Sequence, residues 1–167
     1  MQETDKEIFE KDAKDYLPVF NRYKIVLDHG EGAYLWDING KKYLDFLGGI
    51  AVNVLGHDYG PLVTAISEQA KKLIHCSNLY YTQPQADAAA KLVALSGLDK
   101  AFFGNSGAEA NEGAIKIARK YAHQIDPEKS QIITAWDSFH GRTIATLTAT
   151  GQPKYHEGFG PLPDGFD

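Results

Sequence analysis

The feature that most constrains the fold is a strand, turn, helix and strand pattern in the second half of the chain. Lys100–Phe103 is a short apolar run, and the turn Gly104–Gly107 separates it from a helical stretch at Ala108–Tyr121. A second apolar run follows at Gln131–Trp136. Two buried strands joined through a helix form a βαβ unit, which requires a parallel pairing. The pattern therefore predicts an α/β domain over residues 76–167, with helices flanking a parallel or mixed sheet.

The first part of the chain, residues 1–75, has a different pattern and is predicted to form a separate N-terminal segment. An amphipathic helix is predicted over residues 3–16 and a short strand at Ile25–Leu27. Two apolar runs within residues 33–46 flank the dipeptide Asn39-Gly40. Because both residues tolerate positive φ angles, this dipeptide predicts a β-hairpin with a type I′ turn.

Two longer helices are predicted between the hairpin and the α/β pattern. Pro61 suits the first turn of a helix over residues 61–75, and Gly97 suits the C-terminal end of a helix over residues 84–95. The last dozen residues, 156–167, form a Gly/Pro-rich loop that leads to no further element. Since domains usually end on an element that fixes the terminus, we expect this chain to be part of a longer protein.

Composition limits the classes of function. The chain has 167 residues, of which 43% are hydrophobic and 23% charged, as in a soluble folded domain. Its net charge of -5 argues against a nucleic-acid or anionic-membrane partner. The single cysteine, Cys76, allows neither an intramolecular disulfide nor a multi-cysteine metal site. Residues 1–6 are polar and acidic, unlike a signal peptide, so we expect a cytoplasmic protein.

The turn before the predicted helix at Ala108 has the properties of a phosphate site. Glycines let backbone N–H groups approach an anion, and the helix start adds about half a positive charge. Ser106 supplies a hydroxyl donor. The alternative is an ordinary capped helix, with Ser106 or Asn105 as the N-cap and Glu109 completing a capping box. For this turn alone the capped helix is favoured, because caps are far more common than phosphate sites.

A second group of functional side chains follows the strand predicted at Gln131–Trp136. Ligands of open α/β sheets bind beyond the carboxyl ends of the strands. Phe139 could stack on a planar ring, and Arg142 offers a two-pronged donor for a carboxylate. Alternatively Phe139 belongs to the core, His140 is hydrogen-bonded locally and Arg142 forms a surface ion pair. By itself this segment favours the second interpretation.

Taken together, these segments resemble the class III (fold type I) pyridoxal-phosphate aminotransferases, and within that class the acetylornithine aminotransferases. The resemblance covers essentially the whole chain and follows one order along it. The matching segments are Gly32–Asp37 with Gly40, Gly48–Asn53 with Leu55–His57, Asn105–Glu112, Phe139–Thr143 and Gly151–Tyr155. The implied fold is the first part of the large PLP-binding domain, preceded by a hairpin segment of the small domain.

The resemblance implies pyridoxal 5′-phosphate as the cofactor and assigns the residues that bind it. Ser106, Gly107 and Ala108 would hold the phosphate, and Phe139 would stack on the pyridine ring. Many relatives have threonine where Ala108 stands, so a side-chain hydroxyl is lost there while the backbone contact is kept. The Schiff-base lysine of the family lies beyond the region covered, and no lysine here occupies its motif. We therefore expect no catalytic residue in this chain and no activity from it alone.

The resemblance also implies the substrates and the assembly. Arg142 would bind the substrate α-carboxylate, and Ile50 lies in the pocket loop where an aliphatic residue is similar to the acetylornithine enzymes. The implied reaction transfers the δ-amino group of N2-acetylornithine to 2-oxoglutarate, in arginine biosynthesis. The implied assembly is a homodimer, with Leu47–His57 and Asn78–Gln83 contributing to the interface.

Two alternatives stay open at this point. The amino donor could be succinylornithine, ornithine, 4-aminobutyrate or another ω-amine. The chain could instead be a non-enzymatic module that uses the turn Asn105–Ala108 to bind a phosphate ligand or a protein.

Overall fold

The computed structural model describes residues 4–167, so the first residue of the helix predicted at 3–16 lies outside the described residues. Contacts within the chain separate a first unit that ends at Leu79 from a second unit, Tyr80–Asp167. The assignment of residues 1–75 to a small domain and 76–167 to a large one stays a prediction.

The first unit begins with a helix and a three-stranded antiparallel sheet. Helix α1 spans Asp5–Asp15, and Thr4 forms a reciprocal capping box with Glu7 at its start. Strands β1 (Leu27–Glu31), β2 (Tyr34–Asp37) and β3 (Lys42–Leu44) pair in the order β1-β2-β3. The observed strand β1 therefore begins at Leu27, two residues after the start of the strand predicted at Ile25–Leu27. The pairing with β2, and not the apolar run, sets its position.

The hairpin between β2 and β3 is confirmed, but the predicted type I′ turn is wrong. The N–H of Gly40 donates to the carbonyl of Asp37 at 2.9 Å, which closes a turn over residues 37–40. Only Gly40, with φ of 78°, has positive φ there, whereas a type I′ turn needs two such residues. The Asp37 carboxylate explains the difference, because its Oδ1 accepts the N–H groups of Asn39 and Lys41 at 3.0 and 2.9 Å. These bonds hold the turn in a conformation with positive φ at Gly40 alone.

The glycine-rich loop after β3 contains a short turn of unusual hand. The segment α2, Gly48–Ala51, has positive φ at all four residues, with values of 51°, 65°, 62° and 61°. Helix α3 follows at Gly60–Lys72 with Pro61 in its first turn, in agreement with the helix predicted at 61–75. Its C-cap at Leu73 is extended, so the helix ends before the predicted boundary.

The second unit consists of three helices and extended connections. Helix α4 spans Gln83–Ser96 and ends on left-handed Gly97, as predicted. Helix α5 spans Gly107–Ile125 and α6 spans Ile144–Ala149, and a 3₁₀ turn follows at Pro153–Tyr155. The threonine-rich sequence of Thr143–Thr150 does not by itself predict α6.

The two predicted strands of the second unit do not form a continuous ladder within residues 4–167. Gln131–Trp136 makes two isolated parallel bridges, Ile132 to Phe166 and Trp136 to Gly151, and Lys100–Phe103 forms no strand. An apolar run shows that a segment can be buried, but a strand also needs a neighbour with matching backbone groups. The fold is α/β, and its described sheet is the antiparallel one of the first unit.

The core of the second unit lies around α6, which packs against α5. Leu147 and Ala149 are 3% and 2% exposed, and Thr146 and Thr150 are fully buried. Phe102 reaches α5 as well, since a Cβ at Gly113 would lie 2.9 Å from its ring. Across residues 4–167, no helix combines the length and apolar character that crossing a bilayer requires.

Candidate cofactor and substrate site

The phosphate turn, residues 105–108, leads directly into helix α5. Ser106 is the N-cap residue with extended φ and ψ of -151° and 163°, and its Oγ accepts the N–H of Glu109 at 3.2 Å. No group in residues 4–167 accepts a hydrogen bond from the N–H of Ser106, Gly107 or Ala108. Three consecutive donors are therefore available at the positive end of the helix dipole, which is the arrangement that binds phosphate.

The capping box predicted for this turn forms only in part. The Glu109 carboxylate accepts the N–H of Asn105 rather than that of the N-cap residue Ser106. The helix is thus capped by one Ser106 contact, while the Ser106 N–H stays unused by the described residues. Capping and anion binding are compatible here, because they use different donors of the same turn.

Hydrogen bonds connect the segment Phe139–Arg142 and the adjoining Thr143 to the first turns of α5. The Asn111 side chain donates to the carbonyl of His140 at 2.7 Å, and the Thr143 hydroxyl donates to the Glu112 carboxylate. Asn111 and Glu112 were not predicted as site residues, although they belong to the segment that carries the resemblance. These two bonds join segments about thirty residues apart and hold them in register.

Close packing at Gly141 brings this segment against the phosphate turn. A Cβ on Gly141 would lie 2.8 Å from Cβ of Ala108 and 2.6 Å from Oγ1 of Thr146. Gly141 also has φ of 138°, which L side chains rarely adopt. Only glycine fits this position without displacement of a neighbour. Phe139 and Arg142, the candidates for ring and carboxylate contacts, therefore lie beside the phosphate turn.

Arg142 lies over two aromatic rings. Its Cζ is 4.3 Å from the ring centroid of Tyr155 and 5.6 Å from that of Phe139, and the two rings meet edge to face at 6.1 Å. No carboxylate of residues 4–167 forms an ion pair with Arg142. The rings hold the guanidinium by cation–π attraction and leave its N–H groups free for an anion. Tyr155 was not predicted as a site residue.

Phe139 and His140 separate the two interpretations of this segment. Phe139 is 57% exposed, so it does not belong to the core of the described chain. His140, in contrast, is held locally: its N–H donates to Oγ1 of Thr150 at 3.0 Å and its Nδ1 lies 3.3 Å from Oγ of Ser138. The histidine behaves as the structural alternative expected, whereas the aromatic ring is accessible to a ligand.

His156 makes a further contact that local sequence patterns do not predict. Its Nε2 lies 2.9 Å from the carbonyl of Leu147 and 2.8 Å from that of Thr150, so Nε2 carries the proton and donates to both. These carbonyls lie at the C-terminal end of α6, where they also accept the N–H groups of Thr150 and Gln152 at 3.1 and 2.8 Å. His156 therefore fixes the end of α6, on which the Gly141 contact depends.

Ile50, the predicted substrate contact, belongs to the first unit. It lies in the left-handed turn α2 with φ of 62°, and its side chain is 88% exposed. The predicted roles of Ile50, Ser106, Gly107, Ala108, Phe139 and Arg142 toward cofactor and substrate stay predictions.

Curated relatives are similar to this chain over nearly all of its length. The acetylornithine aminotransferase of Methanocaldococcus jannaschii is 57% identical over 154 residues, which are 92% of this chain and 39% of that protein. The acetylornithine aminotransferase of Methanothermobacter thermautotrophicus is 53% identical over 161 residues, 96% of this chain and 40% of that protein. The chain thus spans about 40% of the length of the curated relatives it matches.

Solved structures of aminotransferases share the fold of this chain. The ornithine aminotransferase of Toxoplasma gondii has a TM-score of 0.92 at 30% identity, over 99% of this chain and 40% of that one. A second structure of that enzyme has PLP at partial occupancy in its active site. An (S)-enantioselective ω-transaminase of Thermomicrobium roseum has a TM-score of 0.89 at 37% identity, over 100% of this chain and 40% of that one.

The family description that matches is Aminotransferase class-III, over residues 18–167. This family uses pyridoxal 5′-phosphate, in agreement with the predicted cofactor. The match covers most of the chain, and the similar sequences and structures agree with it. The chain therefore belongs to the class III aminotransferases.

Proposed function

We propose that this chain is the N-terminal part of an aminotransferase that moves the δ-amino group of N2-acetylornithine to 2-oxoglutarate. One observation carries the proposal: Gly141 packs the segment Phe139–Arg142 against Ala108, so candidates for phosphate, ring and carboxylate contacts lie side by side. The names of the similar curated proteins support this amino donor. The reaction belongs to arginine biosynthesis, and we propose that the protein is cytoplasmic.

The residues of the second unit fit pyridoxal 5′-phosphate. The free N–H groups of Ser106, Gly107 and Ala108 suit a dianionic phosphate, and the Ser106 hydroxyl adds a donor. Phe139 offers an exposed ring face for a flat heterocycle. When bound, the cofactor supplies an electron-withdrawing ring that stabilises negative charge at the carbon bearing the amino group. The contribution of this chain is to anchor the phosphate and to fix the plane of the ring.

Arg142 is proposed to bind the carboxylate of the amino donor and of the oxo acid in turn. Its guanidinium is held over Tyr155 and Phe139 and has no acidic partner in residues 4–167. A fork of N–H donors matches a carboxylate in two parallel hydrogen bonds, and both substrates carry that group. One arginine therefore serves both halves of the transfer.

Ile50 is proposed to contact the acylated end of the donor. An aliphatic side chain suits a neutral amide tail and offers no hydrogen bond to a free charged amine. This contact distinguishes N2-acetylornithine from ornithine. Succinylornithine, ornithine and 4-aminobutyrate remain the alternative donors.

A panel assay tests the reaction. The complete protein that carries this sequence is given each donor with 2-oxoglutarate, and glutamate formation is followed. We expect the highest kcat/KM for N2-acetylornithine. A higher value for free ornithine contradicts the proposed donor, and no glutamate from any ω-amine contradicts the proposed reaction.

The 167-residue chain alone is proposed to lack transaminase activity, because none of its lysines occupies the family's lysine motif. We expect pyridoxal phosphate to bind it weakly, with no specific visible absorbance band. A tight complex with a stable monomer would instead favour the non-enzymatic module. The complete protein is proposed to be a homodimer, and a monomeric sedimentation profile would contradict that.

A further inference from the structure

The left-handed turn Gly48–Ala51 is strained, and one carboxylate holds its start. Ile50 and Ala51 have φ of 62° and 61°, a region in which Cβ crowds the backbone. Oδ1 of Asp45 accepts the N–H groups of Leu47 and Gly48 at 3.0 and 2.9 Å. Non-glycine residues stay in this region only where surrounding contacts determine the conformation.

The end of the same loop is bound to the same carboxylate. Nε2 of His57 lies 2.9 Å from Oδ2 of Asp45, and Nδ1 of His57 lies 2.9 Å from the side-chain nitrogen of Asn53. Since the side-chain nitrogen of Asn53 can only donate, Nδ1 of His57 accepts from it, and the His57 proton on Nε2 points at Asp45. The side chains of Asp45 and His57 are 9% and 24% exposed, so water competes little for these bonds.

The sheet of the first unit fixes this group of three side chains, Asp45, Asn53 and His57, which we call the loop clamp. His57 forms an antiparallel bridge with Gly32 beyond strand β1, with N–H to carbonyl distances of 2.9 and 2.8 Å. A Cβ on Gly30 would lie 2.5 Å from the His57 ring, so the ring packs directly on the β1 backbone. The clamp therefore joins a rigid sheet to a strained loop.

We propose that Asp45 and His57 are positioning residues, which hold the left-handed turn in the one conformation that presents Ile50 to the amino donor. The identity of the substrate in this inference rests on the proposed function. The positioning of the turn rests on the loop geometry alone. Without the clamp the turn relaxes to unstrained conformations, and only a fraction of the molecules remains competent. The apparent affinity for the donor falls in proportion to that fraction.

The test compares two replacements of His57 in the complete holoenzyme. His57→Ala removes both hydrogen bonds, whereas His57→Gln retains one donor for Asp45 and one acceptor for Asn53. We expect His57→Ala to raise KM for N2-acetylornithine about tenfold with kcat within about twofold, and His57→Gln to stay near the parent value. Hydrogen–deuterium exchange over residues 46–57 should be faster in His57→Ala and normal in His57→Gln.

Ala51→Gly provides a second, independent variant. Glycine adopts positive φ without strain, so Ala51→Gly in the His57→Ala background should recover much of the lost donor affinity. The matched control is Asp28→Asn, since Asp28 and His29 form an exposed pair on β1 with no strained loop between them. Neither KM nor loop exchange should change in Asp28→Asn.

The results test the loop clamp, the positioning of Ile50 and the proposed function separately. Unchanged loop exchange in His57→Ala overturns the clamp, as does a KM increase that His57→Gln and Ala51→Gly both fail to reverse. A fall in kcat at constant KM overturns the positioning of Ile50. Should the unsubstituted enzyme turn over no ω-amino donor, the proposed function fails, and the exchange measurements still decide on the clamp.

Discussion

Replacing Gly141 with alanine tests the contact that brings the two parts of the cofactor site together. The new Cβ would lie 2.8 Å from Cβ of Ala108 and 2.6 Å from Oγ1 of Thr146. Carbon atoms in contact prefer separations of about 3.5 to 4.0 Å, so one of the segments must move by about 1 Å. Because Ala108 belongs to the phosphate turn, that movement separates the turn from Phe139 and Arg142.

The size of the effect follows from two contributions. Overpacking of this kind costs about 1 to 3 kcal/mol. The φ of 138° at Gly141 adds roughly 1 to 3 kcal/mol once the residue carries a Cβ. We therefore expect the free energy of unfolding to fall by about 2 to 6 kcal/mol, and the affinity for pyridoxal phosphate to fall at least about tenfold.

Urea unfolding and cofactor titration of the complete protein measure both quantities. Gly158→Ala is the matched control, since Gly158 has φ of 81° and no heavy atom within 4 Å of a built Cβ. That variant carries only the backbone strain, about 1 to 2 kcal/mol, and should bind the cofactor normally. Equal destabilisation by the two substitutions, with equal cofactor affinity, would refute the contact between Gly141 and Ala108.

Three further predictions concern individual side chains. Ser106→Ala should lower the free energy of unfolding by about 1 kcal/mol and weaken phosphate binding, whereas Thr82→Ala should change it little, because Thr82 caps α4 without a side-chain bond. Arg142→Lys should raise KM for donor and oxo acid about tenfold or more in steady-state assays, with cofactor absorbance unchanged, since the two-pronged donor is lost. The hydrogen bond from the Tyr43 hydroxyl holds the pKa of Asp37 below its ordinary value. This carboxylate therefore stabilises the first unit fully above the ordinary aspartate pKa and loses that effect as pH falls through the lowered one; acid titration of Tyr43→Phe should show a weaker dependence.

Local sequence signals predicted the helices of this chain well. Pro61 and Gly97 mark helix ends because their own φ preferences determine the backbone conformation there, independently of tertiary contacts. The hairpin was predicted for the same reason, but the turn type depended on hydrogen bonds from the Asp37 carboxylate. That side chain acts over two and four residues, which dipeptide preferences do not include.

The strands and the site required information that local patterns lack. The apolar run Lys100–Phe103 carries no record of which segment could pair with it, and it finds no strand partner in residues 4–167. By its pattern alone the phosphate turn resembles a capped helix, and only the structure shows which of its N–H groups have no partner within residues 4–167. The contact between Gly141 and Ala108 joins residues distant in sequence, and no periodicity could have predicted it. Resemblance to a family supplied the candidate site residues, but neither of these pairings.

The bonds from Asn111 to His140 and from Thr143 to Glu112 also have a consequence for how the protein folds. They span 29 and 31 residues, so each closes a loop of intermediate length. The entropy lost on loop closure grows slowly with loop length, so loops of this length cost little more to close than shorter ones. During synthesis the N-terminal parts emerge from the ribosome first and fold as units. We therefore expect the phosphate turn and Arg142 to dock once residues 105–143 have emerged, without any later residue.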